Sequence, residues 1–235
     1  MSNADFGNPD VIVIGAGNAA ACAAFAAREG GANVIMLESA PIEECGGNSR
    51  YTAGAMRVVF NGVSDLVQLY DLTDDEKKNV DFGTYTEEQY FDDMGRITNF
   101  RTDPDLCEIL VKSSFETMVW MRKKGVKFQP SYGRQAFKVD GRFKFWGGLA
   151  VETWGGGPGL VENEHKACAR EGIKIFYETP LVTLLLEDNG TAPFTVPAGP
   201  HLVRVQGTSN LPSSYTFVVR LGSIEPEPLP AGIAW

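Results

Sequence analysis

The ten residues Val11-Ile12-Val13-Ile14-Gly15-Ala16-Gly17-Asn18-Ala19-Ala20 decide the fold. Val11 to Ile14 is a continuous apolar, β-branched run, the composition of a parallel strand covered on both faces. It feeds directly into Gly15-Ala16-Gly17-Asn18-Ala19-Ala20, the G-x-G-x-x-A form of the dinucleotide fingerprint. Each small residue has a physical task. Gly15 permits the tight turn, Gly17 lets backbone approach a pyrophosphate, and Ala20 lets the following helix lie close to the sheet. The alanine-rich helix runs to Glu29 and stops at Gly30-Gly31. Its N-terminus offers unpaired N–H groups and the positive end of a dipole to a phosphate.

The next strand, Asn33 to Leu37, ends in Glu38, 21 residues past Gly17. A carboxylate at that distance suits the ribose hydroxyls and repels a 2′-phosphate, which disfavours NADP. Strand, turn, helix, strand and acid agree, and together they predict an α/β fold with a Rossmann-like parallel central sheet. NAD and FAD share the adenosine diphosphate half, so this unit alone does not separate them.

Seven residues on lies a second glycine-rich loop, Cys45 to Met56, CGGNSRYTAGAM. Its small residues Gly46, Gly47, Ala53 and Gly54 permit close backbone approach, and Asn48 and Ser49 supply amide and hydroxyl groups. A third cluster, Gly155 to Gly159, opens a helix ending near Gly172, followed by a strand from Ile173 to Tyr177. The N–H groups at Gly156 and Gly157 either face a substrate carboxylate or belong to a plain turn.

Between these loops, Asn61 to Asp81 turns polar and irregular, and LTDDEKKNVD, Leu72 to Asp81, reads as a solvated segment. A helix then begins at Asp103, a capping residue followed by Pro104, and ends at Arg122-Lys123-Lys124 before Gly125. Leu106, Ile109, Leu110, Phe115, Met118, Val119 and Met121 are expected to form its buried face.

Composition narrows the function classes. At 235 residues, 43% hydrophobic and 22% charged, the chain has the make-up of a globular protein with a sizeable core. A net charge of −9 argues against nucleic acid or an anionic membrane surface as partner. No apolar run is long enough for a membrane span, and MSNADFGNPD lacks the features of a secretory signal. Cys22, Cys45, Cys107 and Cys168 are widely spaced and read as free thiols, so a cytoplasmic location is expected. With His165 and His201 the only histidines, a metal site is not expected.

The GGNS…AG loop resembles that of the flavoprotein superfamily containing fumarate reductases and succinate dehydrogenases, and the chain is most similar to FAD-dependent tricarballylate dehydrogenases within it. VIVIGAGNAAACAAFAAREGGANVIMLESAP, GGNSRYTAGAMRV, WMRKKGVKFQP and GGGPGLVENEHKACAREGIKIFYETP carry the resemblance. It implies FAD as cofactor and hydride transfer between the flavin and a small carboxylic acid, with the direction and the electron acceptor left open. It also implies a FAD-binding domain built from residues 9–62 and 147–188, interrupted at 63–146 by part of an α+β cap domain. In that family Gly46, Gly47, Asn48, Ser49, Ala53 and Gly54 would run along the pyrophosphate and under the flat flavin ring, and backbone at Leu181 and Val182 would run beside adenine.

No catalytic residue can be carried over. A polycarboxylate substrate needs guanidinium or ammonium partners, and Arg57, directly after the flavin loop, is the foremost candidate among Arg96, Arg101, Arg134, Arg142 and Lys144. After Asp188 the resemblance ends. Seven of the 13 prolines lie from Gly190 onward, so residues 189–235 are expected to form an irregular tail, with His201 to Gln206 and Tyr215 to Leu221 as the segments able to be strands. A frameshift, a retained intron or a genuine truncation accounts for such an end. The alternatives to an active flavoenzyme are an inactive or partner-binding fragment and an NAD-dependent Rossmann enzyme.

Overall fold

The computed structural model describes residues 6–181 and 217–220. The chain opens with β1 (Val11–Ile14), α1 (Asn18–Glu29) and β2 (Val34–Leu37), then the short α2 (Gly47–Arg50) and β3 (Ala55–Met56). Next come α3 (Val63–Leu66), α4 (Asp74–Asn79), β4 (Val80–Asp81), α5 (Glu87–Thr98) and the long α6 (Pro104–Lys124). β5 (Phe128–Pro130), α7 (Tyr132–Gln135), β6 (Ala136–Val139), β7 (Arg142–Phe145) and β8 (Val151–Thr153) follow. The described elements end with α8 (Gly156–Arg170), β9 (Lys174–Phe176) and β10 (Phe217–Arg220). Two compact units emerge, residues 1–48 with 165–235, and residues 49–164.

The first unit carries a four-stranded sheet in the order β10-β1-β2-β9. β1, β2 and β9 are mutually parallel, with Val13 opposite Met36 and Met36 opposite Ile175, as the apolar runs predict. α1 buries Ala20, Ala21, Ala24 and Phe25 and packs on β1 and β2, its alanines permitting the close approach. Arg28 pins the end of this helix, donating from Nε to the Glu171 carbonyl and from Nη1 to that of Ala32. The Cys168 thiol of α8 meets the Met36 sulfur of β2 at 3.7 Å. β10 pairs antiparallel with β1, so the strand expected within Tyr215 to Leu221 exists and joins the main sheet. The other expected strand, His201 to Gln206, lies outside the described residues.

The second unit is α+β. One sheet has the antiparallel order β3-β8-β5 and the other the order β4-β7-β6. α6 starts as its sequence demands: the Asp103 carboxylate accepts from the N–H groups of Asp105 and Leu106, and Gly125 closes the helix in the left-handed region at φ 101.

Its buried face differs from the expected one. Cys107, Val111, Ser114, Met118 and Met121 are buried, Phe115 and Val119 are half-buried, and Leu106, Ile109 and Leu110 are exposed. Ser114 explains the rotation: its hydroxyl donates to the Val111 carbonyl and accepts from the Val59 N–H, which removes the cost of burying a polar atom. The segment read as solvated contains a helix, α4, entered by a reciprocal capping box between Thr73 and Glu76. Leu66, Leu69 and Tyr70 just before it are core residues.

Candidate functional site

In the first unit, the dinucleotide turn links β1 to α1. Gly15 has φ 103, a left-handed conformation that a side chain would strain, and its N–H donates to the Leu37 carbonyl at 2.7 Å. Gly17 is the N-cap of α1 and provides no side-chain cap. The N–H groups of that first turn, from Gly17 through Asn18 and Ala19 to Ala20, therefore form the kind of end that an anion caps.

Glu38 is only 6% exposed at the end of β2. Its Oε1 accepts from the Ser39 hydroxyl and the Ala40 N–H, the latter at 2.9 Å. Oε2 takes no hydrogen bond among the described residues and is free for the vicinal hydroxyls of a ribose. The segment after β9 is laced to this position, Thr179 N–H donating to the Glu38 carbonyl and Glu178 N–H to that of Ala40. Leu181 follows, exposed, and Val182 lies outside the described residues. Buried Gly46, with exposed Gly47 and Asn48, completes this unit's share of the expected residues. A side-chain-free helix start and an acid with one open oxygen fit the adenosine diphosphate half of FAD.

In the second unit, the loop from Ser49 to Gly54 is held by the third glycine cluster. The Gly157 N–H donates to the Thr52 carbonyl, and Thr153 N–H to that of Gly54. A Cβ on Gly157 would stand 2.2 Å from the Ser49 carbonyl oxygen, and one on Gly54 only 2.0 Å from Thr153 Oγ1. Gly156 lies beside the Ala53 backbone, where a Cβ would make ordinary contact at 3.4 Å, but its φ of 65 would strain a side chain. These glycines let two backbones touch, and the Gly157 donor has a partner inside the protein.

Arg57 is also engaged. Its Nη1 contacts the Tyr85 hydroxyl at 2.9 Å, the Asp93 carboxylate at 2.6 Å, and the Gly147 carbonyl. Tyr85 donates to Asp93 at 2.8 Å, and Arg96 meets the other Asp93 oxygen at 2.7 Å. Hydrogen bonds from Arg96 and Tyr85, with the Arg57 charge beside them, hold the Asp93 carboxyl below its usual range. Burial, reinforced by the bond to Asp93, pushes Tyr85 up to about 12. Two guanidinium groups on one carboxylate leave a net positive charge, and Arg57 Nε and Nη2 make no hydrogen bond within the described residues. Tyr85 and Asp93 were not singled out in the sequence, where neither stands near Arg57. Among the other basic candidates, Lys144 pairs with Asp81 at 3.3 Å and Arg142 reaches the Val80 carbonyl.

Comparison with known proteins follows the same lines. Residues 10–211 match the family described as FAD binding domain, 23 residues beyond Asp188. A probable fumarate reductase from Shewanella frigidimarina is 28% identical over 81% of this chain and 29% of its own length. A urocanate reductase from Eggerthella lenta is 31% identical over 52% of this chain and 18% of its own. Among solved structures, the open conformation of a flavocytochrome c3 fumarate reductase superposes with a TM-score of 0.55 at 24% identity, covering 77% of this chain and 28% of that one. A 3-ketosteroid-delta4-(5alpha)-dehydrogenase from Rhodococcus jostii RHA1 gives 0.58 at 18% identity over 91% of this chain and 44% of that one. The two structures show the fold. The chain thus spans under a third of the length of these curated relatives. No helix among the described residues is long and apolar enough to cross a membrane.

Proposed function

Since the chain belongs to the FAD binding domain family, we propose that it serves an FAD-dependent oxidoreductase acting on a small unsaturated or saturated carboxylic acid of fumarate- or tricarballylate-like chemistry. The observation that carries the reading is Glu38, a nearly buried carboxylate with one oxygen satisfied and the other open, opposite a helix start without a side-chain cap in the same parallel sheet. That pairing supports FAD held at its ribose by Glu38 and at its pyrophosphate by Gly15, Gly17 and the first turn of α1, Asn18 to Ala20. Gly46, Gly47, Asn48, Ser49, Ala53 and Gly54 receive the flavin half, with Gly156 and Gly157 bracing that loop. Leu181 and Val182 flank adenine. When bound, FAD accepts or supplies a hydride.

Arg57 is the substrate anchor. Asp93 and Tyr85 fix its guanidinium through Nη1, so Nε and Nη2 form a preset fork for a substrate carboxylate. The net positive charge of Arg57, Asp93 and Arg96 favours a dianionic acid over a neutral one. Residues 63–146 act as part of a cap over the reacting carbon. The reductases of fumarate and urocanate among the relatives support a carbon–carbon double bond next to a carboxylate as the reacting group.

The test is spectroscopic. The full chain incubated with FAD and desalted should keep absorbance bands near about 370 and 450 nm. After anaerobic reduction, a stoichiometric addition of fumarate, aconitate or urocanate should restore the band near about 450 nm for the true substrate class. Colourless protein after incubation contradicts the cofactor role. Coloured protein that no unsaturated acid reoxidises contradicts the substrate class and leaves a flavin-binding module.

A further inference from the structure

The first unit contains a polar cluster that the cofactor reading has not used: Cys45 and Tyr177 beside the imidazole of His165, which reaches the carbonyl of Ala16. His165 Nε2 lies 2.8 Å from the Ala16 oxygen. A carbonyl only accepts, so Nε2 carries the proton, and in the neutral ring Nδ1 is left as an acceptor. The Tyr177 hydroxyl lies 3.2 Å from Nδ1 and donates to it. The Cys45 sulfur is 3.8 Å from the same nitrogen, and its thiol is directed to the Ile42 carbonyl at 3.1 Å. Burial pushes Tyr177 up to about 12, which keeps its proton in place at neutral pH. The imidazole is thus fixed in tautomer and in orientation by residues from two other segments.

Ala16 sits between the two glycines of the dinucleotide turn. Its carbonyl shares a rigid, planar trans peptide with the Gly17 N–H, and the two groups lie in that plane pointing in opposite directions. Whatever holds the Ala16 oxygen therefore aims the Gly17 N–H. That N–H makes no hydrogen bond within the described residues, and Gly17 begins α1 without a side-chain cap. Gly17, which flanks this peptide, has no side chain to resist its rotation, so an outside restraint on the Ala16 carbonyl fixes the turn.

We infer that His165 is a positioning residue for the cofactor: by holding the Ala16 carbonyl, with Tyr177 setting its tautomer, it turns the Gly17 N–H toward the FAD pyrophosphate. The inference rests on the FAD reading and concerns only the adenosine diphosphate half. Glutamine can still donate an N–H near the Nε2 position, whereas leucine of similar bulk cannot.

The full chain and its His165→Leu, His165→Gln and Tyr177→Phe variants are titrated with FAD and, separately, with ADP, following flavin fluorescence and ligand-induced shifts in melting temperature. His165→Leu is expected to weaken both ligands by a similar factor, about tenfold or more, as for a lost orienting bond to a charged group. His165→Gln should recover most of that loss, and Tyr177→Phe should show a smaller deficit for both ligands. Wild-type affinity in His165→Leu overturns the positioning role, as does a loss that His165→Gln fails to rescue, which marks a packing effect. If His165→Leu does not fold, an unimpaired Tyr177→Phe together with an impaired His165→Gln overturns it. Failure of the unsubstituted chain to bind FAD or ADP instead removes the cofactor reading on which the inference depends.

Discussion

Glu164 is the one described residue whose buried side-chain oxygens both lack a hydrogen-bond partner. It is fully buried on α8, on the same stripe as Leu160, Val161, Ala167 and Cys168, and burial raises it from an ordinary 4.5 to about 8. The sign follows directly. Between those two values the folded state keeps a proton that the unfolded state has released, so folding stability falls as pH rises through that window. The slope is about 1.4 kcal/mol per pH unit at most, flattening above about 8, where both states are ionised. Urea unfolding of wild type at pH 5, 6.5 and 8.5 should show this decline, and Glu164→Gln should largely abolish it. An equal decline in the variant would assign it to another group. The position is readable in the sequence as a charge interrupting an i, i+3, i+4 apolar pattern, but nothing in that pattern tells an exposed stripe from a buried one. Arg57 teaches the complementary lesson: its place after the flavin loop drew attention to it, while Asp93 and Tyr85, which set its geometry, gave no local signal.

The elements follow their local chemistry where caps and glycines govern them. Asp103→Ala should destabilise by about 1 kcal/mol, measured by chemical denaturation, because two N–H groups at the start of α6 lose their acceptor. Gly157→Ala should cost more, because its Cβ meets backbone carbonyl oxygens of Ser49 and Arg50, which cannot yield as a flexible side chain would. Loss of folded protein, or of the loop's protection in hydrogen exchange, is the expected readout; a neutral effect would show that the two backbones can separate freely. The face of α6 was less legible. Leu106, Ile109 and Leu110 are more apolar than Cys107 and Ser114, yet the latter are buried. Hydrophobicity summed along a helix ranks residues by transfer energy, whereas burial here depends on a serine hydroxyl finding two backbone partners.

For the molecule as a whole, ligand binding and stability are linked. FAD at about 100 times its dissociation constant should add about 2.7 kcal/mol to the stability of the folded state, seen as a rise in melting temperature that ADP partly reproduces. Gly17→Val should remove that rise, because a branched side chain stands where the pyrophosphate must approach the backbone; a retained shift would place the phosphate elsewhere. The dinucleotide unit was legible in the sequence because it is built locally. A β-branched run, a glycine turn, an alanine helix and a strand ending in Glu38 follow one another within 28 residues, and short-range sterics set each step. The parallel sheet descends from that stretch, while the cofactor and the family needed the GGNS loop after it as well. The convergence of distant groups was not legible. His165 reaches Ala16 across 149 positions, Arg57 reaches Gly147 across 90, and Thr153 reaches Gly54 across 99. Such contacts arise from packing of whole elements, whose energies are spread over many weak apolar contacts, and no spacing within the chain announces them. Local order dictated which cofactor the chain is built for; long-range packing dictated which side chains aim the groups that hold it.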